Sequence, residues 1–183
     1  MHSSSRLPRC MSESPLSDTA NTTSSASLLA LHVVQALHPQ KLRIQHLILI
    51  VPLVDTELET LSFGANIDRP FISGPELRTR LHTLLPTDQR QNINILNKPD
   101  AWIKRLPRTD IVLAEHDPMF NSQKAFVVRL TEARLLASHK DVPELQGHLM
   151  DTQGGRTIRA FTDDSVGAIA RDLGKGRSSS LAV

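Results

Sequence analysis

Thr109-Asp110-Ile111-Val112-Leu113-Ala114-Glu115-His116-Asp117-Pro118-Met119-Phe120 is the stretch on which the fold turns. Ile111 to Ala114 reads as a short buried strand, and it ends in charged residues and a proline-bearing turn. A patterned segment follows from about Ser122 to Leu136. There Phe126, Leu130 and Ala133 share one helical face, with Val127 beside them. An acidic residue just past a parallel strand sits in the crevice outside the strand's carboxyl end, where open α/β sheets bind their ligands. Asp117 is therefore the first candidate functional residue.

Outward from this stretch, strand and helix patterns alternate. Leu47-Ile48-Leu49-Ile50-Val51 is a continuous aliphatic run, as expected of a parallel strand covered on both faces, and Pro52 and Asp55 end it. Before it, Ser25 to Leu37 is helical, with apolar residues around nearly the whole circumference, which predicts a buried helix closed by Pro39. Between Thr56 and Pro107 one helix is clear, Pro75 to Leu85, with Leu77, Leu81, Leu84 and Leu85 as its stripe. The rest of that section reads as an excursion over the sheet, Gly64 marking a turn. A third strand is expected between His139 and Leu145, kept short or at an edge by Pro143. Thr162-Asp163-Asp164-Ser165 reads as a helix start, Val166, Ile169, Ala170 and Leu173 as its buried stripe, and Gly174 as its stop. Gly154-Gly155 reads as a turn. Such alternation predicts an α/β layered domain with a parallel sheet of which three strands are countable.

Composition narrows the function. The 183 residues are 39% hydrophobic, 22% charged and 3% aromatic with no Tyr, enough for one domain with a core. Net charge is +2, and the basic residues are scattered rather than striped, which argues against nucleic acid. The single cysteine, Cys10, allows no disulfide framework or thiolate metal site. Leu47 to Val54 is too short to span a bilayer, and the amino terminus lacks a secretory core, so a cytoplasmic location is expected. Residues 1–24, rich in Ser, Thr, Pro and Asn, are expected to be a disordered leader, and 175–183 a frayed tail.

His148 follows Asp117 in Leu145-Gln146-Gly147-His148-Leu149, again just past an expected strand. An Asp that orients an imidazole acting as general base is the standard support for an activated serine. Against this stand two plain alternatives: Asp before Pro as a turn former, and His after Gly as a loop residue. A metal site assembled from His116, Asp117, His139, His148 and Asp151 has no His-x-x-x-His helical pair behind it.

The segment Leu106 to Pro118 resembles the acid-bearing strand of the α/β-hydrolase superfamily, nearest to esterases of the hormone-sensitive-lipase and arylformamidase type. Gln123 to Leu130 resembles the helix that follows it there, Gly147-His148 the family's Gly-His, Leu47 to Asp55 the strand after the nucleophile helix, and Thr56 to Pro107 its cap. The resemblance covers roughly residues 25–173. It implies Asp117 as the triad acid and His148 as the base, in the chain order Ser, Asp, His of that family.

For the nucleophile, the resemblance points to residues 19 to 27. Thr23-Ser24-Ser25-Ala26-Ser27 offers Ser25, with small residues where the elbow carries glycines, and Ser17-Asp18-Thr19-Ala20-Asn21 offers Thr19. Ser25 reads equally as the N-cap of a buried helix. Nothing like the family's His-Gly-Gly oxyanion motif occurs. The expected fold is thus a partial α/β-hydrolase: a parallel sheet core with flanking helices and a cap-like insertion at about 56–107, spanning 25–174 and lacking the N-terminal strands. The expected activity is hydrolysis of a small acyl ester or amide, with no cofactor and no metal. The alternative is a catalytically inactive module that binds or associates, as a homo-oligomer or with a complementing chain, through exposed sheet and helix faces.

Overall fold

The computed structural model describes residues 19–40, 44–65, 74–143 and 152–179. Among them, four strands form one parallel sheet in the order β1 (Thr19–Thr23), β2 (His46–Ile50), β3 (Arg108–Ala114) and β4 (Leu136–Val142). Parallel neighbours need crossover connections, and helices supply them. Helix α1 (Ser24–Leu37) joins β1 to β2. The link from β2 to β3 carries α2 (Leu61–Ala65), α3 (Gly74–Leu84), α4 (Thr87–Ile93) and α5 (Asp100–Ile103). Helix α6 (Phe120–Glu132) joins β3 to β4, and α7 (Thr152–Ser179) follows.

Side-chain alternation along the two central strands divides the core into two layers. Leu47, Leu49, Ile111 and Leu113 face one side, packed with Leu28, Leu31 and Val34 of α1 and Phe126 and Leu130 of α6. The excursion packs on that side too, through Leu58, Phe63, Leu81, Ile95 and Ile103. Ile48, Ile50, Val112 and Ala114 face the other side, against Ile158, Phe161 and Ile169 of α7. Both faces of β2 and β3 are covered, which is why their sequences read as continuous aliphatic runs.

The structure departs from the sequence reading in several places. Thr19–Thr23, assigned to the disordered leader, is a strand in full register with β2, from Thr19 beside His46 to Thr23 beside Ile50. An edge strand can be polar, and threonine suits extended backbone, so the ladder forms without an apolar signal. Helix α1 is not buried all round: Leu29 and Val33 are 68% and 43% exposed. Among its described residues the middle section holds four helices where one was legible, and Gly64 lies within α2. Strand β4 begins at Leu136, earlier than expected, and stops at Val142 because Pro143 has no N–H for the ladder.

Helix α7 starts upstream of the expected cap, so Thr162 to Ser165 lie inside it, as do Gly154, Gly155 and Gly174. Ile158 and Phe161 extend the stripe of Ile169 backward along the same face. A glycine costs a helix only about 1 kcal/mol, which docking can offset. The expected frayed tail from 175 is helical to Ser179.

Helix α6 also ends before the expected Leu136. Arg134 adopts φ 58, its N–H bonds Thr131 O at 2.9 Å, and Leu135 N–H bonds Leu130 O at 2.9 Å. This is a Schellman termination with arginine where glycine is usual.

Candidate functional site

The carboxyl ends of the strands share one edge of the sheet, and Asp117 lies just beyond that of β3. Its N–H bonds Ala114 O at 3.0 Å, and its carbonyl accepts from Phe120 N–H at 3.1 Å, so the strand reverses at once into α6. Its Oδ1 accepts from Met119 N–H at 2.8 Å, an Asx turn that stands in for the side-chain cap Met119 cannot provide. The turn-former reading is therefore correct as geometry. Asp117 is only 1% exposed.

Two residues without a sequence signal hold this turn. Gln123, fully buried on the first turn of α6, donates from Nε2 to Pro52 O at 3.3 Å and to Asp117 Oδ1 at 3.5 Å. It thereby ties the turn after β3 to the segment after β2. Ser62 in α2 donates to Pro118 O at 2.9 Å and accepts from Asn121 N–H at 2.9 Å. The cap-like excursion is thus pinned to the acid-bearing turn by one hydroxyl. Helical periodicity marks Gln123 only as a helical position, and Ser62 belongs to no motif.

A second acid on this edge has structural work. Asp55, 5% exposed, accepts at Oδ1 from Glu57 N–H at 3.0 Å and Asn94 Nδ2 at 2.9 Å. Thr56 Oγ1 donates to Arg90 O at 2.7 Å, and Ile95 N–H to Val54 O at 3.0 Å. These bonds tie the start of the excursion to α4 and the residues just after it. Val51, just past β2, adopts φ 46, a rare conformation for a β-branched residue and one that clusters at functional sites.

Of the other sequence-predicted site residues, Ser25 is the second residue of α1, which leaves the carboxyl end of β1. The strand-to-helix junction itself falls between Thr23 and Ser24. Thr19 begins β1, at the opposite edge from Asp117, and so is no partner for it. Strands β1 and β3 flank β2, so their backbones stand roughly 10 Å apart, two strand spacings. His148 lies outside the described residues, in the connection between Val142 of β4 and Thr152 of α7. Of the metal candidates, His148 and Asp151 are outside the described residues. No cluster of three His, Cys, Asp or Glu side chains suited to a metal occurs among those described.

The opposite edge holds a different acid. Asp110, 4% exposed at the start of β3, accepts from His46 Nε2–H at 2.7 Å and from the Ser138 hydroxyl, with Ser165 of α7 a further donor. Burial pushes the Asp110 carboxyl up, but the hydrogen bond from His46 outweighs it together with those from Ser138 and Ser165 and the histidine charge. The carboxyl stays below its ordinary value. The group joins β2, β3, β4 and α7 and lies far from the edge that carries Asp117.

Comparison with known proteins fits this architecture. No curated protein sequence matches the chain. Among solved structures, carboxyl esterase 2 of the mycorrhizal fungus Tuber melanosporum superposes with a TM-score of 0.65 at 21% identity, over 76% of this chain and 50% of the esterase. A bacterial heroin esterase gives 0.65 at 18% identity, over 79% and 49%. An ester-hydrolase from the metagenome of Lake Arreo gives 0.68 at 20%, over 84% and 50%. The chain spans about half the length of each. No helix among the described residues is long and apolar enough to cross a membrane. A family model described as alpha/beta hydrolase fold matches residues 23–148, and with the parallel sheet and its crossover helices this makes the chain a member of the α/β-hydrolase family.

Proposed function

We propose that this chain carries the acid and base of a serine-dependent hydrolase acting on a small acyl ester or amide. Asp117 is the triad acid, His148 the general base that it orients, and Ser25 the nucleophile. Neighbouring Ser24, at the junction of β1 and α1, is the competing position, since an elbow exposes its serine at the strand-to-helix turn. The observation that carries the reading is the buried Asp117 turn on the same sheet edge as that junction, in a chain of the hydrolase family. In the proposed reaction the serine hydroxyl attacks the acyl carbon while the imidazole takes its proton. The imidazole then returns that proton to the leaving group, and water releases the acid by the same route. The excursion from Thr56 to Pro107 shapes the acyl pocket.

The test is turnover of p-nitrophenyl acetate and butyrate by the full chain and by Asp117→Asn, His148→Ala, Ser24→Ala and Ser25→Ala. Loss in Asp117→Asn and His148→Ala, and in one of the two serine variants, supports the mechanism and names the nucleophile. Turnover that all four retain removes it. A second reading is favoured by Leu29 and Val33, exposed on α1 beside the edge strand β1. In that reading the chain acts by association and has no catalysis. Absent turnover together with concentration-dependent oligomers in sizing would establish it.

A further inference from the structure

Between the sheet and α7, at the edge opposite Asp117, lies a cavity of about 340 Å³. That volume is within the range of small-molecule sites. Part of the lining is polar. Arg108 and His46 pair across β2 and β3, and Asp164 looks in from α7. Phe161, Ala168 and Ile169 supply the apolar part of the lining, about one turn of α7 to either side of Asp164.

The charged residues of the lining are not equivalent. Asp110 is spent on the fold, since its carboxylate already accepts from His46, Ser138 and Ser165. Arg108 and Asp164 line the same cavity, and neither has an ion-pair partner among the described residues. A ligand thus meets one uncommitted cation, one uncommitted anion and an apolar wall. Both are exposed, so water solvates whichever charge a simple ion leaves unmatched, and only a ligand carrying both charges engages the two at once. A guanidinium fork suits a carboxylate, and a carboxylate suits an ammonium.

We infer that this cavity binds a small zwitterion of the α-amino-acid type with an apolar side chain. Arg108 takes the carboxylate, Asp164 the ammonium, and Phe161 with Ile169 the side chain. The site is separate from the hydrolase edge and does not depend on catalysis there.

Calorimetric titration of the full chain with L-leucine and L-phenylalanine tests this, beside N-acetyl-L-leucine, which lacks the ammonium, and L-leucinamide, which lacks the carboxylate. The expected result is saturable binding of the free amino acids, at least about tenfold weaker for either capped form. Arg108→Gln and Asp164→Asn should each weaken leucine by a similar factor, and Ala168→Leu should block it. Absence of saturable binding overturns the inference, as does binding that survives capping or both charge variants. If a variant fails to fold, the capped ligands on the unaltered chain still decide.

Discussion

The two ends of β3 each carry a buried aspartate, and the two are held in opposite ways. Asp110 is gripped by side chains from β2, β4 and α7, three elements distant in sequence. The hydrogen bonds that reach the Asp117 carboxylate from described residues are local, from the N–H of Met119 two residues on and the amide of Gln123 six residues on. A carboxylate on which several elements converge belongs to the fold. One that a short turn fixes beside the candidate site can be replaced without unpicking the sheet. The contrast predicts that stability depends on one end and chemistry on the other.

The largest expected effect tests the chemical end. Asp117→Asn keeps an oxygen for the Met119 N–H, so unfolding free energy should move by no more than about 1 kcal/mol. Turnover should nevertheless fall about 10³–10⁴-fold, because an amide cannot stabilise the imidazolium or fix its tautomer. Parallel ester-hydrolysis assays and urea titrations check both halves. A variant that unfolds readily would place Asp117 with Asp110 as a fold residue and erase the contrast.

Asp110→Ala should do the reverse. It leaves His46, Ser138 and Ser165 without their shared acceptor, at a cost of about 3 kcal/mol or more, while activity per folded molecule is unchanged. The same group shapes the acid limb of stability. Its folded pKa lies below the ordinary 3.8, so its contribution is complete above that value and is lost as pH falls through the lower folded value. Denaturant titrations from neutral pH to below about pH 4 should show a steeper loss for the unaltered chain than for Asp110→Asn. Equal slopes would mean that the carboxylate does not prefer its folded surroundings.

Sequence legibility followed the same division between local and distant. The strand Ile111 to Ala114, the turn at Asp117 and the helix after it were readable because their signals are contiguous: an aliphatic run, an Asp-Pro pair, then a 3.6-residue period. The role of Asp110 was not readable, since its partners are 64 residues upstream, at His46, and 28 residues downstream, at Ser138. The polar β1 escaped for a related reason, because its stability comes from pairing with β2. Gln123 and Ser62 were missed as supports of the acid turn because their bonds reach Pro52 and Pro118 across the fold. The proposed base, His148, lies outside the described residues. Its role still rests on the resemblance of Gly147-His148 and on its place after β4.

The smallest effect compares two strained residues, one at each edge. Arg134 ends α6 at φ 58 with its side chain in solvent, so Arg134→Gly relieves the left-handed backbone and forfeits no buried contact. After the entropy cost of glycine in the unfolded chain, a gain of about 0.5 kcal/mol is expected. Val51, at φ 46 beside the candidate site, is 3% exposed in the α7-side core. There Val51→Gly sets the same net relief against about 1.5 kcal/mol of lost burial and should cost about 1 kcal/mol. Val51→Ala loses the burial but keeps the strain, so it should be the less stable of the two by about 0.5 kcal/mol. That reverses the usual order of alanine and glycine. Thermal melts of the three variants measure it, and alanine proving more stable than glycine at 51 would show that Val51 holds no strain for the site edge to use.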